Sequence, residues 1–367
     1  MVGVDVEHQV RASSAPPLVS VVMSVFNGGE YLREAVQSIR DQSFEDFEFV
    51  VIDDGSTDGS SECLRRLERL DDRIRVFSQD RKGLIRSLNR GCGVARGRYI
   101  ARMDADDVAC KERLELQLEY LRSNPDVGLV GGAVNFIDAS GRLFLTARYP
   151  TSDHEIRRAL PDGSVFWHPT VMFKREVFAR CGGYRNIKDA EDYDLWLRMA
   201  TECRLANLSN VVLKYRVHPM QVSVVRCSQQ ALGTLAARAS ADSRKRADPD
   251  PFEGEVEISA ERLREVGVDE CSLQTTIARA YLSSIRNMSL LGKDVIALNM
   301  LQALHAPGFE QAETWVVADL HLCAAALYRS RGEYARSLQS YWTAVSKRPI
   351  LVGRPLKKVI GSITRRT

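Results

Sequence analysis

Three carboxylates fall within four residues at Asp104, Asp106 and Asp107, directly after the run Tyr99 to Met103. Anions packed this closely repel one another. A divalent cation held by oxygen ligands relieves that repulsion, and Asp104 and Asp106 are spaced to face one ion. By itself the cluster is equally a solvated acidic turn. A second pair, Asp53 and Asp54, precedes Gly55 and Ser56. A carboxylate there can accept from a nucleobase N–H or from ribose hydroxyls, and the glycine lets a ligand pass close to the backbone. A turn followed by a helix cap accounts for the same residues. A third pair, Glu191 and Asp192, opens an apolar-periodic run. The dipole of a helix favours the anion at its N-terminus. Aimed into a cleft, such a carboxylate is a general base; otherwise it is an ordinary helix-start acid.

These residues need a frame. Val19 to Phe26, Phe47 to Ile52, Ile74 to Phe77 and Arg98 to Met103 read as strands, apolar enough to be buried in a parallel sheet. Helices are predicted between them, over Tyr31 to Gln42, over a segment capped by Asp58, and over Leu84 to Ala95. The order β-α-β-α-β-α-β defines an α/β fold whose ligands lie at the carboxyl ends of the strands. Beyond the acidic loop the reading continues with a helix over Lys111 to Arg122 and strands over Val127 to Phe136, Leu143 to Leu145, Thr170 to Lys174 and Val211 to Val217. Helices start at Arg175 and Glu191. From about Val225 the composition turns to Ala, Leu, Arg and Ser at helical spacing. Residues 1–17 read as a disordered lead-in, 18–225 as the α/β domain and 226–367 as a helical region. Gly332 to Pro349, with a weaker copy at Gly292 to Ala306, resembles half of a tetratricopeptide unit; a generic helical domain fits as well.

Composition bounds the possibilities. The chain has 367 residues, 44% hydrophobic and 27% charged, with a formal charge of +3. That balance gives no support to a nucleic-acid binder. Eight cysteines are scattered without a C-x-x-C pair, against a zinc site or disulfide framework and in keeping with reduced thiols in a cytoplasmic protein. No apolar window approaches the ~18 residues of a membrane span, and no secretory h-region is seen near the N-terminus. The end is basic: Arg354, Lys357, Lys358, Arg365 and Arg366 surround Leu356, Val359, Ile360 and Ile363. That spacing suits a short amphipathic helix on an anionic membrane surface, or a solvated tail.

The stretch Val19 to Leu64, the run from Asn89 to Asp107, His168 to Phe173, Gly182 to Arg185, Glu191 to Arg198 and Tyr215 to His218 together resemble the inverting glycosyltransferases of family 2, of the bacterial cell-surface polysaccharide type. The resemblance covers residues 18–225. It implies a GT-A fold with a mostly parallel central sheet, a nucleotide-sugar donor and a divalent cation, Mn2+ or Mg2+. Ser24, Phe26, Asp53 and Asp54 match positions about the nucleoside. Asp104 would face the ribose and the cation, Asp106 the cation, and His218 the cation or diphosphate. Asp192 matches the base, with Glu191 positioning it or the acceptor; Trp167 and His168 would line the acceptor cleft. Phe26 stands where tyrosine is frequent, which removes a hydroxyl and leaves stacking. The Gln-x-x-Arg-Trp signature of processive synthases is absent, so the expected product carries one added sugar. A UDP-sugar donor and a glycan or lipid-linked acceptor are the expected partners, with the enzyme on the inner face of the cell membrane. Competing readings fare worse. Gly91 to Gly97 follows a helix and precedes a strand, the reverse of a dinucleotide-binding loop. No Walker A sequence occurs, a glycosidase would not explain an acidic loop of this kind, and Asn27 to Glu30 lacks the basic residue of a nucleotidyltransferase loop. A degenerate, non-catalytic scaffold carrying a helical protein-binding module is opposed by the survival of all three acidic sites.

Overall fold

The computed structural model describes residues 15–219, 221, 225–254, 258–303, 309 and 311–351. The lead-in before residue 15, the end of the weaker helical copy at 304–306, and the basic stretch 352–367 lie outside them.

Continuous apolar runs become central strands because both faces of the sheet are covered. β1 (Val19–Val25) and β2 (Phe47–Asp53) are buried along almost their whole length. They join β3 (Ile74–Ser78) and β4 (Tyr99–Met103) in parallel, in the order β3-β2-β1-β4. Val25 pairs with Asp53 and Met23 with Met103. This register brings Phe26, Asp54 and Asp104 to one edge of the sheet. Between these strands run α1 (Leu32–Arg40), α2 (Ser60–Glu68) and α3 (Leu84–Val94). Gly91, which gave the false dinucleotide signal, is a packing residue: a Cβ there would lie 2.6 Å from Val22 Cγ1.

The second half of the sheet departs from simple alternation. After β5 (Val108–Ala109) and α4 (Arg113–Ser123) come β6 (Val127–Ile137), β7 (Leu143–Ala147), α5 (Asp153–Ala159) and β8 (Met172–Lys174). α6 (Arg175–Arg180), α7 (Glu191–Glu202) and β9 (Arg204–Arg216) complete the domain. β8 is antiparallel to both β4 and β6, while β6 and β9 are parallel. β6 and β9 therefore point the same way as β1 to β4, and all six carboxyl ends share the Asp104 edge. β8 runs the other way, so its entry segment, Trp167 to Val171, arrives at that edge too.

Several boundaries move. Thr170 belongs to a 3-10 turn over His168–Thr170, not to the strand that follows. β9 starts at Arg204, seven residues before the expected Val211, and α5 and β5 were not foreseen. Asp58 does not cap α2. Gly59, with φ at 91°, occupies the cap position. Asp58 instead accepts from Ser60 N at 3.0 Å and Gly29 N at 2.9 Å, tying two loops together.

The helical region is α8 (Cys227–Arg246), α9 (Ala260–Glu265), α10 (Glu270–Leu290), α11 (Asp294–Ala303), α12 (Thr314–Ser330) and α13 (Tyr334–Lys347). α10 and α11, and α12 and α13, are joined by matching turns. Gly292 and Gly332 take left-handed φ of 68° and 77°. The next amides, of Lys293 and Glu333, reach back to Met288 O and Tyr328 O, a glycine-ended helix stop. The two stretches aligned in the sequence thus start at equivalent turns and supply the second helix of each pair. Apolar side chains form one core with Val21, Met23, Ile39, Phe49 and Leu118, and another with Val22, Ile52, Ile100, Phe173 and Trp196. The alternation of Val21 and Val22 between them marks the two faces of the sheet.

Candidate active site

The acidic loop leaves β4 under tight control. Asp104 forms an ion pair with the buried guanidinium of Arg102. Asp107 is 1% exposed. Its Oδ1 accepts from Arg216 N at 2.7 Å, and its Oδ2 has no hydrogen-bond partner among the described residues. Arg216 Nε donates to Asp106 O at 2.8 Å, and His218 Nε2 lies 3.1 Å from Asp106 Oδ2. The end of β9 and the residues just after it are therefore stitched to the acidic loop through Arg216 and His218.

One carboxylate oxygen from each of Asp104, Asp106 and Asp107 lies within 4.8 Å of the others. Burial raises the pKa of Asp107 well above the usual carboxylate range, and the Asp106 and Asp104 charges add to the rise. Asp104 is raised by burial as well, against the pull of Arg102. A buried oxygen without a donor in such a cluster fits a hard cation with oxygen ligands. The residues present suit that group.

On the side toward β1 and β2, Asp53 and Asp54 are both 2% exposed. Asp53 accepts from Ser56 N at 3.1 Å and from the Ser61 hydroxyl. Asp54 accepts from Gln79 Nε2 at 2.6 Å, Lys82 N at 2.8 Å and Gly83 N at 2.8 Å. Burial opposes its ionisation, but these donors outweigh that and hold its pKa below the usual value. Both carboxylates are thus engaged by their own loops. Phe26 presents its ring at 37% exposure, with the Arg81 guanidinium 3.7 Å from its centroid. Asp54, by fixing Lys82 and Gly83, holds the segment that carries Arg81 to this ring. Ser24 is half-buried beside them.

Glu191 and Asp192 begin α7, whose Leu195, Trp196 and Met199 anchor it in the core. Asp192 is half-buried, and its Oδ1 accepts from Tyr193 N at 2.7 Å. Glu191 is 6% exposed. Burial, then the neighbouring Asp192 charge, pushes Glu191 up to about 8. Asp192 is raised by burial, and the Tyr193 N–H and Arg102 work against that rise. Arg102 is the cation felt by Asp104, Asp107, Glu191 and Asp192 alike. Nothing in the sequence marked it, because an arginine inside a strand looks like a sheet edge.

The raised Glu191 pKa has a sign. Between 4.5 and about 8 the folded state holds a proton that the unfolded state releases. Its contribution to stability is present below the unfolded value and lost as pH rises through the folded one. Urea midpoints measured from about pH 5 to about pH 9 should fall for the native protein relative to Glu191→Gln. Parallel curves would contradict the assignment.

His168 Nε2 lies 2.9 Å from the Tyr184 hydroxyl. Burial and then Arg102 push the His168 pKa well down, so the ring is neutral. Asn89 brackets Tyr184 by accepting from its N–H at 2.9 Å and donating to its carbonyl at 2.8 Å. Trp167 stacks on Tyr149, with centroids 4.0 Å apart and planes at 29°. Asp104, Asp106 and His218 lie together at the acidic loop, whereas Asp53 and Asp54 face their own loops. Arg102, Tyr149, Tyr184 and Arg216 join the site without having been singled out, and Asp107 joins it after being named in the acidic cluster without a role. The other four carried no sequence signal that could have found them.

A GT-A-type sheet with a carboxylate cluster and an acidic helix start on one edge defines a nucleotide-sugar transferase fold. The chain belongs to Glycosyl transferase family 2, whose family model matches residues 20–182, and it is a glycosyltransferase. It is 35% identical over 205 residues to the O-antigen biosynthesis glycosyltransferase WbnJ of Escherichia coli, covering 55% of this chain and 80% of that protein. It is 32% identical over 203 residues to the amylovoran biosynthesis glycosyltransferase AmsE of Erwinia amylovora, covering 54% and 76%. Among solved structures it resembles the mannosyltransferase PcManGT of Pyrobaculum calidifontis, in complex with GDP-Man and Mn2+. The TM-score is 0.52 at 21% identity, over 93% of this chain and 89% of that one. It also resembles TarS 1–349 of S. aureus in complex with UDP-GlcNAc, with a TM-score of 0.52 at 16% identity over 89% and 90%. At these identities the structures share the fold. Among the described residues no helix is long and apolar enough to cross a membrane.

Proposed function

We propose that this glycosyltransferase moves one sugar from a nucleotide-diphosphate-sugar to an acceptor hydroxyl with inversion, in a divalent-metal-dependent reaction. The observation that carries this reading is the common edge itself. The three-carboxylate cluster and the Asp192 carboxylate flank the buried cation Arg102, whose charge acts on both. A donor diphosphate at the first and an acceptor hydroxyl at the second would meet at the anomeric carbon.

Phe26 offers a face for the nucleobase, with Ser24 beside it. Asp54 and Asp53 act by shaping the loops around the nucleoside. Asp104 and Asp106, with His218 and Asp107 at hand, would hold Mn2+ or Mg2+. Such an ion, when bound, supplies charge neutralisation to a departing diphosphate. Asp192 takes the proton from the acceptor hydroxyl as its oxygen attacks the anomeric carbon. The C–O bond to the diphosphate breaks on the opposite face, which inverts the configuration. Glu191, protonated in its buried position, leaves the negative charge to Asp192. Trp167 and His168 stand along the acceptor side.

The named relatives act in O-antigen and amylovoran biosynthesis, which supports a surface-polysaccharide or lipid-linked glycan acceptor here. A UDP-sugar is our first donor. A cytoplasmic enzyme touching the inner membrane face through its basic terminus completes the reading. A thermal-shift panel of UDP- and GDP-sugars with Mn2+ or Mg2+ tests it. A donor at ~100 times its dissociation constant should stabilise the fold by roughly 2.7 kcal/mol. No shift with any nucleotide-sugar would overturn it.

A further inference from the structure

On the acceptor side of the cleft Trp167 is half of an aromatic ledge, and its partner Tyr149 has no part in the reaction as described. Tyr149 lies in the connection between β7 and α5, and Trp167 enters the turn before β8. They are far apart in sequence, yet their rings stack at 4.0 Å. Trp167 is fixed from behind. Thr170 N and the Thr170 hydroxyl both donate to Trp167 O, at 2.9 and 2.7 Å. Phe136 meets the indole edge-on, with centroids 6.2 Å apart. Both ledge residues remain half-buried rather than buried.

The polar atoms of this pair are unspent. Neither the Tyr149 hydroxyl nor the Trp167 indole N–H makes a hydrogen bond to any described residue. Buried tyrosines and tryptophans usually satisfy these groups. Tyr149 also lies within reach of the Asp192 charge, which, after burial, helps to push its pKa up to about 12. The ledge therefore lies within the field of the base.

A flat aromatic surface with free donors suits a ligand with one apolar face and a rim of hydroxyls, which describes a pyranose ring. The charge of the surroundings narrows the choice. The Asp192 charge reaches the ledge, so a phosphate or carboxylate on the reacting unit would meet like charge. We propose that the Trp167–Tyr149 ledge is the acceptor subsite for a neutral pyranoside, whose ring stacks there while the Tyr149 hydroxyl holds a ring hydroxyl next to the one facing Asp192. The reacting end of the acceptor is thus a sugar, not a polyol phosphate or a bare lipid phosphate. This rests on the transferase reading above and names the substrate class at the same site.

Saturation-transfer NMR on the full chain with UDP and Mn2+ provides the test. The probes are methyl α- and β-hexopyranosides, methyl β-glucuronide and glycerol 1-phosphate. At least one neutral hexopyranoside should show saturation on its ring protons, and the two anions none. Trp167→Leu should remove that saturation. Trp167→Phe, which keeps a ring, should retain it, and Tyr149→Phe should keep stacking but weaken binding several-fold. In transfer assays with the responding pyranoside, Trp167→Leu and Tyr149→Phe should raise the acceptor KM more than they lower kcat, by about tenfold for the former. Saturation of glycerol 1-phosphate or the glucuronide but of no neutral pyranoside overturns the proposal. So does an acceptor KM unchanged in folded Trp167→Leu, or in Tyr149→Phe if the first variant does not fold. Failure of the transferase reading looks different: no nucleotide-sugar would then bind to the native protein at all.

Discussion

Asp192→Asn should fold, bind metal and nucleotide-sugar as the native protein does, and lose transfer by a factor of about 10²–10⁴, the usual worth of a general base. The substitution keeps the shape of the side chain. Its carbonyl oxygen can still accept from Tyr193 N, as the Asp192 carboxylate does. What it cannot do is receive a proton. The helix start should hold, because α7 is anchored by buried Leu195, Trp196 and Met199 rather than by its first turn. Initial rates of nucleotide release in the presence of acceptor, with a thermal melt as the folding control, decide the matter. Undiminished turnover would remove Asp192 from the chemistry.

Arg216→Met should damage the fold and the site together. The guanidinium is 2% exposed. It donates to Asp106 O at 2.8 Å, to Asp138 O at 3.3 Å, to Ala139 O at 3.2 Å and to Glu34 at 2.6 Å. Methionine fills similar space but leaves these carbonyls with fewer donors. Glu34 is exposed and can turn to water, but the three carbonyls lose a donor at ~1 kcal/mol or more each, so a total loss of at least about 3 kcal/mol is expected. A urea denaturation curve measures it. Because Arg216 also ties the acidic loop to β9, the stabilisation by Mn2+ should shrink in the same variant. A change below about 0.5 kcal/mol, the range of an ordinary surface substitution, would mean that these contacts do not support the loop.

Much of this site was legible because its acids sit next to unmistakable elements. Asp53 and Asp104 follow apolar runs that could only be buried strands, and Glu191 precedes a clear helical stripe. Parallel β-α alternation then sends all the strand ends to one edge. What escaped depends on partners distant in the chain. The donors that engage Asp54 lie 25 to 29 residues away, so its carboxylate looked free for a nucleoside. Asp107 could not be explained until Arg216, 109 residues later, supplied one hydrogen bond and left the other oxygen bare. β5 is two residues long and exists only by pairing with β9. Early β9 was hidden by Asn207, Ser209 and Asn210, polar residues that interrupt its apolar pattern. Asp58 misled because the cap rule reads sequence position, while the left-handed turn at Gly59 shifts the helix start by one residue.

Calorimetric titration of the nucleoside diphosphate UDP into the native protein and into Asp106→Asn, with Mn2+ or with EDTA, tests the central claim that the acidic loop joins donor and cation. Mn2+ should tighten binding to the native protein by about tenfold or more, worth ~1.4 kcal/mol, and should make no difference to Asp106→Asn. Equal affinity for UDP with Mn2+ and with EDTA in the native protein would contradict it.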